Sequence, residues 1–318
     1  MPKSFKALID QFNQVVKVGF GKTYDTYEPK LSALVGSFKV PPSSATTAIF
    51  GLFMDGLKPV VSTPIPSETL PEAYKVVVPH KPYAKRIEIP EAEFERAQTV
   101  SDLSLYEAQV KGLASLAKDH PIETAFDLIE NGASSTMGVC FDGKPLFATD
   151  HAYGDATGQK NLLTGTGNAA DKVAADLKAA KNALEGFVYK SGNRMKKFNK
   201  NLKPLVICDV SMKAIFEDLL MQETIGGTTN TLRGTFELVC EPLTDKLSFY
   251  VMDQDNGGVE VNAPIINPVE KAATLSDNLG QESQVMDHVL RYQVDLRSGY
   301  GYGAWWKIVT VKNTASSN

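Results

Sequence analysis

Two aspartates and a histidine lie close together in the sequence and could carry acid–base or metal chemistry. They are Asp142, Asp150 and His151. A carboxylate beside a histidine can orient the imidazole ring, and both kinds of group bind divalent metal ions. However, the four histidines of the chain form no HxH or HExxH pair, and Asp142-Gly143 is an ordinary turn pair. The pattern favours a hydrogen-bonded turn, with a metal-dependent hydrolase using these three residues as the alternative.

Two glycine motifs resemble nucleotide-binding loops. Gly21-Lys22-Thr23 looks like the end of a phosphate loop, but Val16 stands where that loop requires its first glycine. The segment 165–170 fits the pattern GxGxxA and precedes a predicted helix, yet no βαβ unit surrounds it. We therefore expect no nucleotide site at the first motif and a helix-entry turn at the second.

Two further segments could contact nucleic acid. Arg194–Lys203 holds five cations in ten residues, which suits either a phosphate-contacting loop or, as we favour, a solvated loop or subunit contact. Gly299–Gly303 is followed by Trp305 and Trp306, whose rings could stack on bases. We favour a glycine-aromatic turn that packs against a sheet.

The three cysteines are Cys140, Cys208 and Cys240. They form no CxxC pair, which excludes a zinc ribbon and a thioredoxin-type redox motif. Their apolar and turn-like surroundings predict free and mostly buried thiols in a reducing compartment.

The composition is that of an ordinary globular protein. Of 318 residues, 43% are apolar and 22% are charged, and 33 basic against 37 acidic residues give a net charge of −4. These values exclude a largely disordered chain, and the acidic balance argues against a broad nucleic-acid-binding surface. No apolar run is long enough to span a bilayer, and the first residues lack the apolar core of a signal peptide, so we expect the chain to stay where it is made. The length suggests about two domains.

The first hundred residues predict projections from a folded core. Phe5, Leu8, Ile9, Phe12 and Val15/Val16 could form one stripe of a helix, but prolines from Pro41 to Pro71 favour an extended or irregular arm. Residues 72–98 alternate on both sides of His80-Lys81-Pro82, which predicts a long β-hairpin. Such a hairpin needs cover from elsewhere, because it has too little core of its own.

The remainder mixes helices and strands. Ser104 and Glu107 fit a capping box, and Asn131-Gly132 fits a helix stop, so residues 104–131 predict one long kinked helix or two stacked ones around Pro121. After a Gly/Asp/Asn-rich connection over 133–168, we expect helices at 170–189 and 211–222. We expect strands at 205–208, 235–241, 247–253, 259–263, 289–297 and 305–312. Without regular βαβ alternation, the order predicts an α+β fold.

Three segments together carry a resemblance to a known family. They are His120–Gly132 with its His-Pro start and Asn-Gly stop, Cys140–His151 with its DG-x-x-x-F-x-x-x-H pattern, and Asn161-Leu-Leu163. In this order they resemble the major head protein of Mu-like phages, the gpT family. The later order of helices and strands and the Tyr/Gly/Trp-rich end are also similar.

The resemblance implies the Hong Kong 97-type capsid fold. Its parts would be an N-terminal arm (1–57), an extended E-loop hairpin (58–98), a peripheral domain with a long spine helix (99–144), an axial domain (145–285) and C-terminal strands returning to the peripheral domain (286–318). In this fold the arm and the E-loop reach onto neighbouring subunits, and the sorted charges of the predicted hairpin would fix register between neighbours.

The resemblance also implies a structural function. The chain would be a major capsid protein that self-assembles into hexamers and pentamers of an icosahedral shell around double-stranded DNA, with no sequence-specific DNA binding and no membrane contact. It would need no catalytic, cofactor-binding or metal-binding residue and no cofactor. Portal, scaffold or decoration proteins would be its partners, and it would assemble in the host cytoplasm and reside in the virion. An encapsulin-like protein nanocompartment is a second alternative.

Overall fold

The structure is a computed structural model that describes residues 4–29, 31–50, 74–190, 193–195, 202–225, 228–255, 259–279 and 287–314. Its helices are α1 (Phe5–Thr26), α2 (Glu91–Arg96), α3 (Ser104–Glu130), α4 (Ala170–Gly186) and α5 (Lys213–Met221). Among the described residues, no helix is long and apolar enough to cross a membrane. The mixture of helices and strands confirms the α+β prediction.

Over the described residues, the strands form two larger sheets and four short ribbons. The first nine are β1 (Val35–Lys39), β2 (Ala45–Ile49), β3 (Lys75–Pro79), β4 (Lys81–Pro90), β5 (His151–Tyr153), β6 (Ala156–Gln159), β7 (Leu162–Thr164), β8 (Val188–Lys190) and β9 (Asn193–Arg194). The others are β10 (Leu205–Cys208), β11 (Thr224–Ile225), β12 (Thr228–Thr229), β13 (Glu237–Cys240), β14 (Phe249–Met252), β15 (Ile265–Asp277), β16 (Val289–Ser298), β17 (Gly301–Tyr302) and β18 (Ile308–Lys312).

The first sheet has the order β1-β15-β16-β4, and β17 also pairs with β15. Its centre alternates as expected: Leu290, Tyr292 and Val294 are buried. These residues face the helical layer because successive side chains of a strand point to opposite faces. The alternation predicted over 289–297 is thus confirmed by β16.

The N-terminal helix α1 packs on the chain's own fold. Its buried stripe joins residues of α2, α3, β4 and β16 in one cluster that includes Leu8, Ile9, Phe12, Val16, Ile89, Phe94, Val110 and Tyr292. Lys17 forms an ion pair with Asp277 of β15 at 2.6 Å. The helical stripe is confirmed, whereas the prediction of an irregular arm is wrong over α1.

Helix α3 is a single helix that contains Pro121. Its first half packs against α1 and the first sheet. Its last turns join the largest core through Ala125, Leu128 and Ile129. The predicted stop at Asn131 is confirmed, but no side-chain cap lies at its start. The capping box is instead formed by Thr99 and Asp102, in the 3₁₀ turn that precedes the helix.

The second sheet has the order β13-β10-β14-β18-β7. Every residue of β10 and β14 is buried, as expected for central strands. Helices α4 and α5 contribute Leu177, Leu184 and Phe216 to the same core. The predicted helices at 170–189 and 211–222 and the strands at 205–208, 235–241 and 247–253 all have counterparts here.

The predicted hairpin at 72–98 is wrong in its pairing. Strand β3 pairs antiparallel with β2, with Ile49 opposite Lys75, and β4 pairs along its whole length with β16. His80 therefore separates two strands of different sheets and does not form a hairpin turn. Residues 51–73, between β2 and β3, lie outside the described residues. Most of the prolines on which the arm prediction rests fall in this range.

One other expectation fails in the C-terminal half. Residues 260–262 form a 3₁₀ turn in place of the strand predicted at 259–263, and the long strand β15 follows. The two sheets each draw strands from more than one of the expected ranges, whose assignment as domains stays a prediction. Strand β15 lies in the first sheet although it falls within 145–285, and β18 lies in the second sheet although it falls within 286–318.

Candidate assembly surfaces

Asp142 and His151 form a buried pair. The Asp142 Oδ2 atom lies 2.7 Å from His151 Nδ1 and accepts the Ala152 backbone N–H at 3.2 Å. The other ring nitrogen of His151 lies 3.2 Å from the carbonyl oxygen of Leu146, and the ring stacks on Trp305 with centroids 4.3 Å apart. Both nitrogens are thus engaged by protein groups, and the ring face is covered. This arrangement holds a turn in place and leaves no ring nitrogen for a metal ion or substrate.

Asp150 does not join this pair. Its carboxylate is more than half exposed and bonds to the Lys144 ammonium. Asp150 and His151 are neighbours entering an extended strand, where successive side chains point to opposite faces. Within the described ranges, no group of three or more His, Cys, Asp or Glu side chains could hold a metal ion. The three residues therefore do not form the cluster on which the hydrolase alternative depends.

The two glycine motifs both have structural roles. Gly21-Lys22-Thr23 lies inside α1. At the second motif, Asp176 accepts the backbone N–H of Thr166 at 2.9 Å, and Asn313 accepts that of Gly167 at 2.8 Å. This turn leads into α4, which confirms the helix-entry prediction.

The expected basic loop falls mainly outside the described residues, which exclude 196–201. Its assignment to DNA or to a neighbouring subunit stays a prediction. The two tryptophans are 0% and 3% exposed, so neither ring can stack on a base. Trp305 and Trp306 belong to the largest core instead.

The Gly299–Gly303 turn packs against β3, where it allows two backbones to approach closely. A Cβ atom added at Gly299 would lie 2.6 Å from the Pro79 carbonyl oxygen and 2.6 Å from a Val78 methyl group. A Cβ added at Gly301 would also meet Val78, at 2.8 Å. The predicted turn packing on a sheet is confirmed, and its partner is the β2–β3 ribbon.

The β2–β3 ribbon has one buried and one exposed face. On the inner face, Ala48 and Val78 are buried in the largest core. On the outer face, Ile49 is 51% exposed and Val77 is 64% exposed. In the part of the chain that the structure describes, the two strands pair only with each other. The exposed apolar side chains of this two-stranded ribbon make its outer face a candidate contact surface.

A polar network fixes the root of the ribbon. The His80 ring lies 2.8 Å from the Thr46 hydroxyl through Nε2, and its Nδ1 lies 3.1 Å from Glu270. Glu270 also pairs with Arg297 at 3.1 Å. Through these contacts the ribbon is tied to β15 and β16 of the first sheet.

An aromatic cluster supports the far end of the ribbon. Tyr74 stacks on Tyr153 with centroids 4.5 Å apart and meets Phe141 edge-on at 5.1 Å. The Tyr74 hydroxyl accepts the backbone N–H of Gly154 at 2.8 Å. Tyr153 lies two residues after His151 on β5, so the Asp142–His151 pair orients the strand on which the ribbon rests.

A groove of about 690 Å³ runs beside the ribbon. It lies between β3, the last turns of α3 and the loop at 135–140, and exposed apolar side chains of Val77, Met137 and Val139 line it. A smaller cavity of about 420 Å³ lies between β4 and α3 beside His120 and Tyr83. Burial lowers the pKa of His120, whose ring lies 4.3 Å from the Tyr83 ring.

The charges of β4 pair inside the chain. Glu88 accepts from Arg291 of β16 at 2.8 Å, and Arg86 donates to Gln293 at 2.9 Å. These cross-strand contacts help to fix the register of β4 on β16. The prediction that the sorted charges set register between neighbouring subunits stays a prediction.

The comparisons with known proteins bear on these surfaces. The model of the Mu-like prophage major head subunit gpT matches residues 68–189. The resemblance to the gpT head proteins is confirmed. This segment contains β3, β4, α3 and the Asp142–His151 pair. No curated protein matches the chain in sequence.

Solved structures with the same fold are shells of phages and related particles. A chain of the bacteriophage JBD30 procapsid is 13% identical, with a TM-score of 0.55 over 98% of the present chain and 77% of that chain. The capsid of cyanophage P-SCSP1u gives 10% identity and a TM-score of 0.52 over 89% and 87% of the two chains. A virus-like particle from Pyrococcus furiosus gives 12% identity and 0.51 over 94% and 98%. The Hong Kong 97-type fold is thus confirmed.

The matching family model is that of a head subunit, and the similar solved structures are those of a procapsid and a capsid. The sequence patterns missed the ribbon root. His80 and Glu270 are 190 residues apart, and neither belongs to a local motif. The only available signal was a histidine between two apolar alternating runs.

Proposed function

We propose that this chain assembles into hexamers and pentamers of an icosahedral phage head that encloses double-stranded DNA. The observation that carries the proposal is the outer face of the β2–β3 ribbon, which exposes Ile49 and Val77 beside a groove of mixed polar and apolar lining. Burial of such a face contributes roughly 25 cal/mol per Å² before association costs are counted. Identical copies related by rotation would cover it in a closed shell.

The domain assignment that we propose follows the sheets. The peripheral domain comprises the first sheet with α3 as the spine helix, and the axial domain comprises the second sheet with α4 and α5. Helix α3 falls in the range expected for the peripheral domain (99–144), and α4 falls in the range expected for the axial domain (145–285). We reassign β15 to the peripheral domain and β18 to the axial domain. The E-loop would begin at β2, because β2 is the partner of β3.

Contact with DNA would be weak and independent of sequence. The net charge of −4 suits a container, because a shell that bound its DNA tightly would hinder packing and release. Binding of DNA by assembled shells should therefore depend little on salt concentration, and a steep dependence would contradict this part of the proposal. Portal, scaffold or decoration proteins complete the proposed set of partners.

Electron microscopy of particles that contain the chain tests the proposal. We expect closed icosahedral shells that protect double-stranded DNA from nuclease when they are isolated from phage-producing cells. Small discrete oligomers alone, with the other phage head proteins present, would overturn the proposal. Closed shells that hold protein cargo and no DNA would favour the nanocompartment alternative.

A matched pair of variants at one position tests the role of the ribbon. Val77→Asp places a charge on the outer face, whereas Val77→Thr keeps a β-branched side chain of similar size. We expect the first variant to fold but to form few shells, and the second to assemble normally. Normal assembly of Val77→Asp would show that this face is not a subunit contact.

A further inference from the structure

Two of the three cysteines lie directly opposite each other in the second sheet. Strands β10 and β13 are parallel, and their register places Cys208 against Cys240. The two Sγ atoms lie 3.5 Å apart, and both thiols are free. Paired positions on neighbouring strands are about 4.8 Å apart, within the Cα separation of about 4.4–6.8 Å that a disulfide requires. The sulfurs need to approach by only about 1.5 Å, which small side-chain rotations can supply.

We propose that Cys208 and Cys240 form a modification site, at which a small-molecule disulfide oxidises the two thiols to one intrachain disulfide bond. In the first step, Cys240 loses its proton to water, and its thiolate attacks one sulfur of the small disulfide. This step forms a mixed disulfide and releases one small thiolate. Cys208 then loses its proton and attacks the Cys240 sulfur, which closes the bond and releases the second thiolate. The protein gives up two electrons and two protons, and the small disulfide is reduced to two thiols.

The surroundings give the two cysteines different roles. Cys240 is partly exposed on the edge strand β13, so an oxidant can reach it, whereas Cys208 is 0% exposed on the second strand. Burial raises the pKa of the Cys208 thiol, which makes it a poor first nucleophile. Once a mixed disulfide has formed on Cys240, however, Cys208 is the adjacent resolving thiol.

The bond would fasten an edge strand. Strand β13 is hydrogen-bonded to β10 alone among the described strands of its sheet, and the disulfide would close a loop that includes α5. Thiols stay reduced inside a cell and oxidise outside it. Resting on the proposed function, we expect the bond to form after the head leaves its host, when the particle meets an oxidising medium.

Thiol counting and peptide mapping test the chemistry. The wild-type chain is incubated in its native state with oxidised glutathione, denatured, and titrated with a thiol reagent. We expect the three thiols to fall to one, with a loss of two hydrogens in the intact mass and a non-reduced peptide that joins Cys208 to Cys240. Cys140→Ser is the matched control, which should form the same bond and leave no thiol.

Single variants distinguish this site from general oxidation. In Cys208→Ser, we expect Cys240 to remain as the mixed disulfide with glutathione, because the resolving thiol is absent. If the buried site tolerates serine poorly, Cys208→Ala gives the same readout. The proposal would be overturned if all three thiols survived oxidised glutathione in the native chain and reacted with it only when the chain was denatured first. Disulfide bonds between chains would also overturn it. Because the titration works on dissociated subunits as well as on shells, its failure is separate from a failure to assemble.

Discussion

Removal of one ring from α1 tests whether this helix belongs to its own subunit. Phe12 is 0% exposed and meets Phe94 edge-on at 5.2 Å and Tyr292 at 6.0 Å. Truncation of a buried phenylalanine to alanine costs about 3–5 kcal/mol, to which each aromatic pair contributes about 0.5–1.5 kcal/mol beyond its buried area. Most of the stability of a helix in a protein comes from the packing of its apolar face, so Phe12→Ala should release α1 from α3 before the rest of the chain unfolds.

Hydrogen exchange of the α1 amides in dissociated subunits measures this release. At about 1.4 kcal/mol for each factor of ten, the lost free energy predicts exchange faster by roughly two to three and a half orders of magnitude. Val18→Ala is the matched control, because Val18 lies on the same helix and is 72% exposed. The α1 amides of this variant should exchange at the same rates as in the wild type. Equal exchange in the two variants would refute the packing of α1 on its own subunit and restore the prediction of a free arm.

Three further predictions concern the ribbon, the buried pair and the response to acid. Gly299→Ala should lower the urea midpoint and the yield of shells, because its Cβ would lie 2.6 Å from two β3 atoms, whereas Gly21→Ala meets no atom within 4 Å and should raise the midpoint slightly. His151→Ala should lower the free energy of unfolding by about 1–3 kcal/mol with or without added divalent metal, while the exposed Asp150→Ala should change it by less than about 0.5 kcal/mol. Hydrogen bonds from backbone N–H groups lower the pKa of Asp209 from 3.8 to about 2. Its carboxylate therefore stabilises the fold above about pH 4, and this contribution is lost as the pH falls towards about 2, so Asp209→Asn should flatten the acid side of a urea-midpoint profile.

Local patterns predicted the elements whose residues repeat with a regular period. The stripe of α1, the length of α3 and the alternation of β16 all follow from apolar spacing, which directly reflects the faces of a helix or strand. Strand β15 was missed because Pro268 and the charged pair Glu270-Lys271 interrupt its pattern. In the structure, its pairing with β16 shifts register twice in this region, which accommodates the interruption.

Pairing between distant segments could not be read from local patterns. The sequence on both sides of His80 is compatible with a hairpin, and only the tertiary structure shows that β3 turns to β2 while β4 adds to β16. The residues of the candidate site were likewise predictable only in part. The proximity of Asp142 and His151 was predicted from their spacing, but the opposite direction of Asp150 depends on the strand that His151 begins.

The ribbon connects the subunit's own stability to its assembly. The subunit secures the inner face and the root, through Val78 in the core, the His80 network and the close approach of Gly299. The outer face is left apolar and exposed at Val77. Substitutions on the inner face should therefore lower the stability of dissociated subunits and of shells alike, whereas substitutions on the outer face should change only the shells. This division lets the subunit fold alone and leaves the outer face of the ribbon free for the contact that we propose.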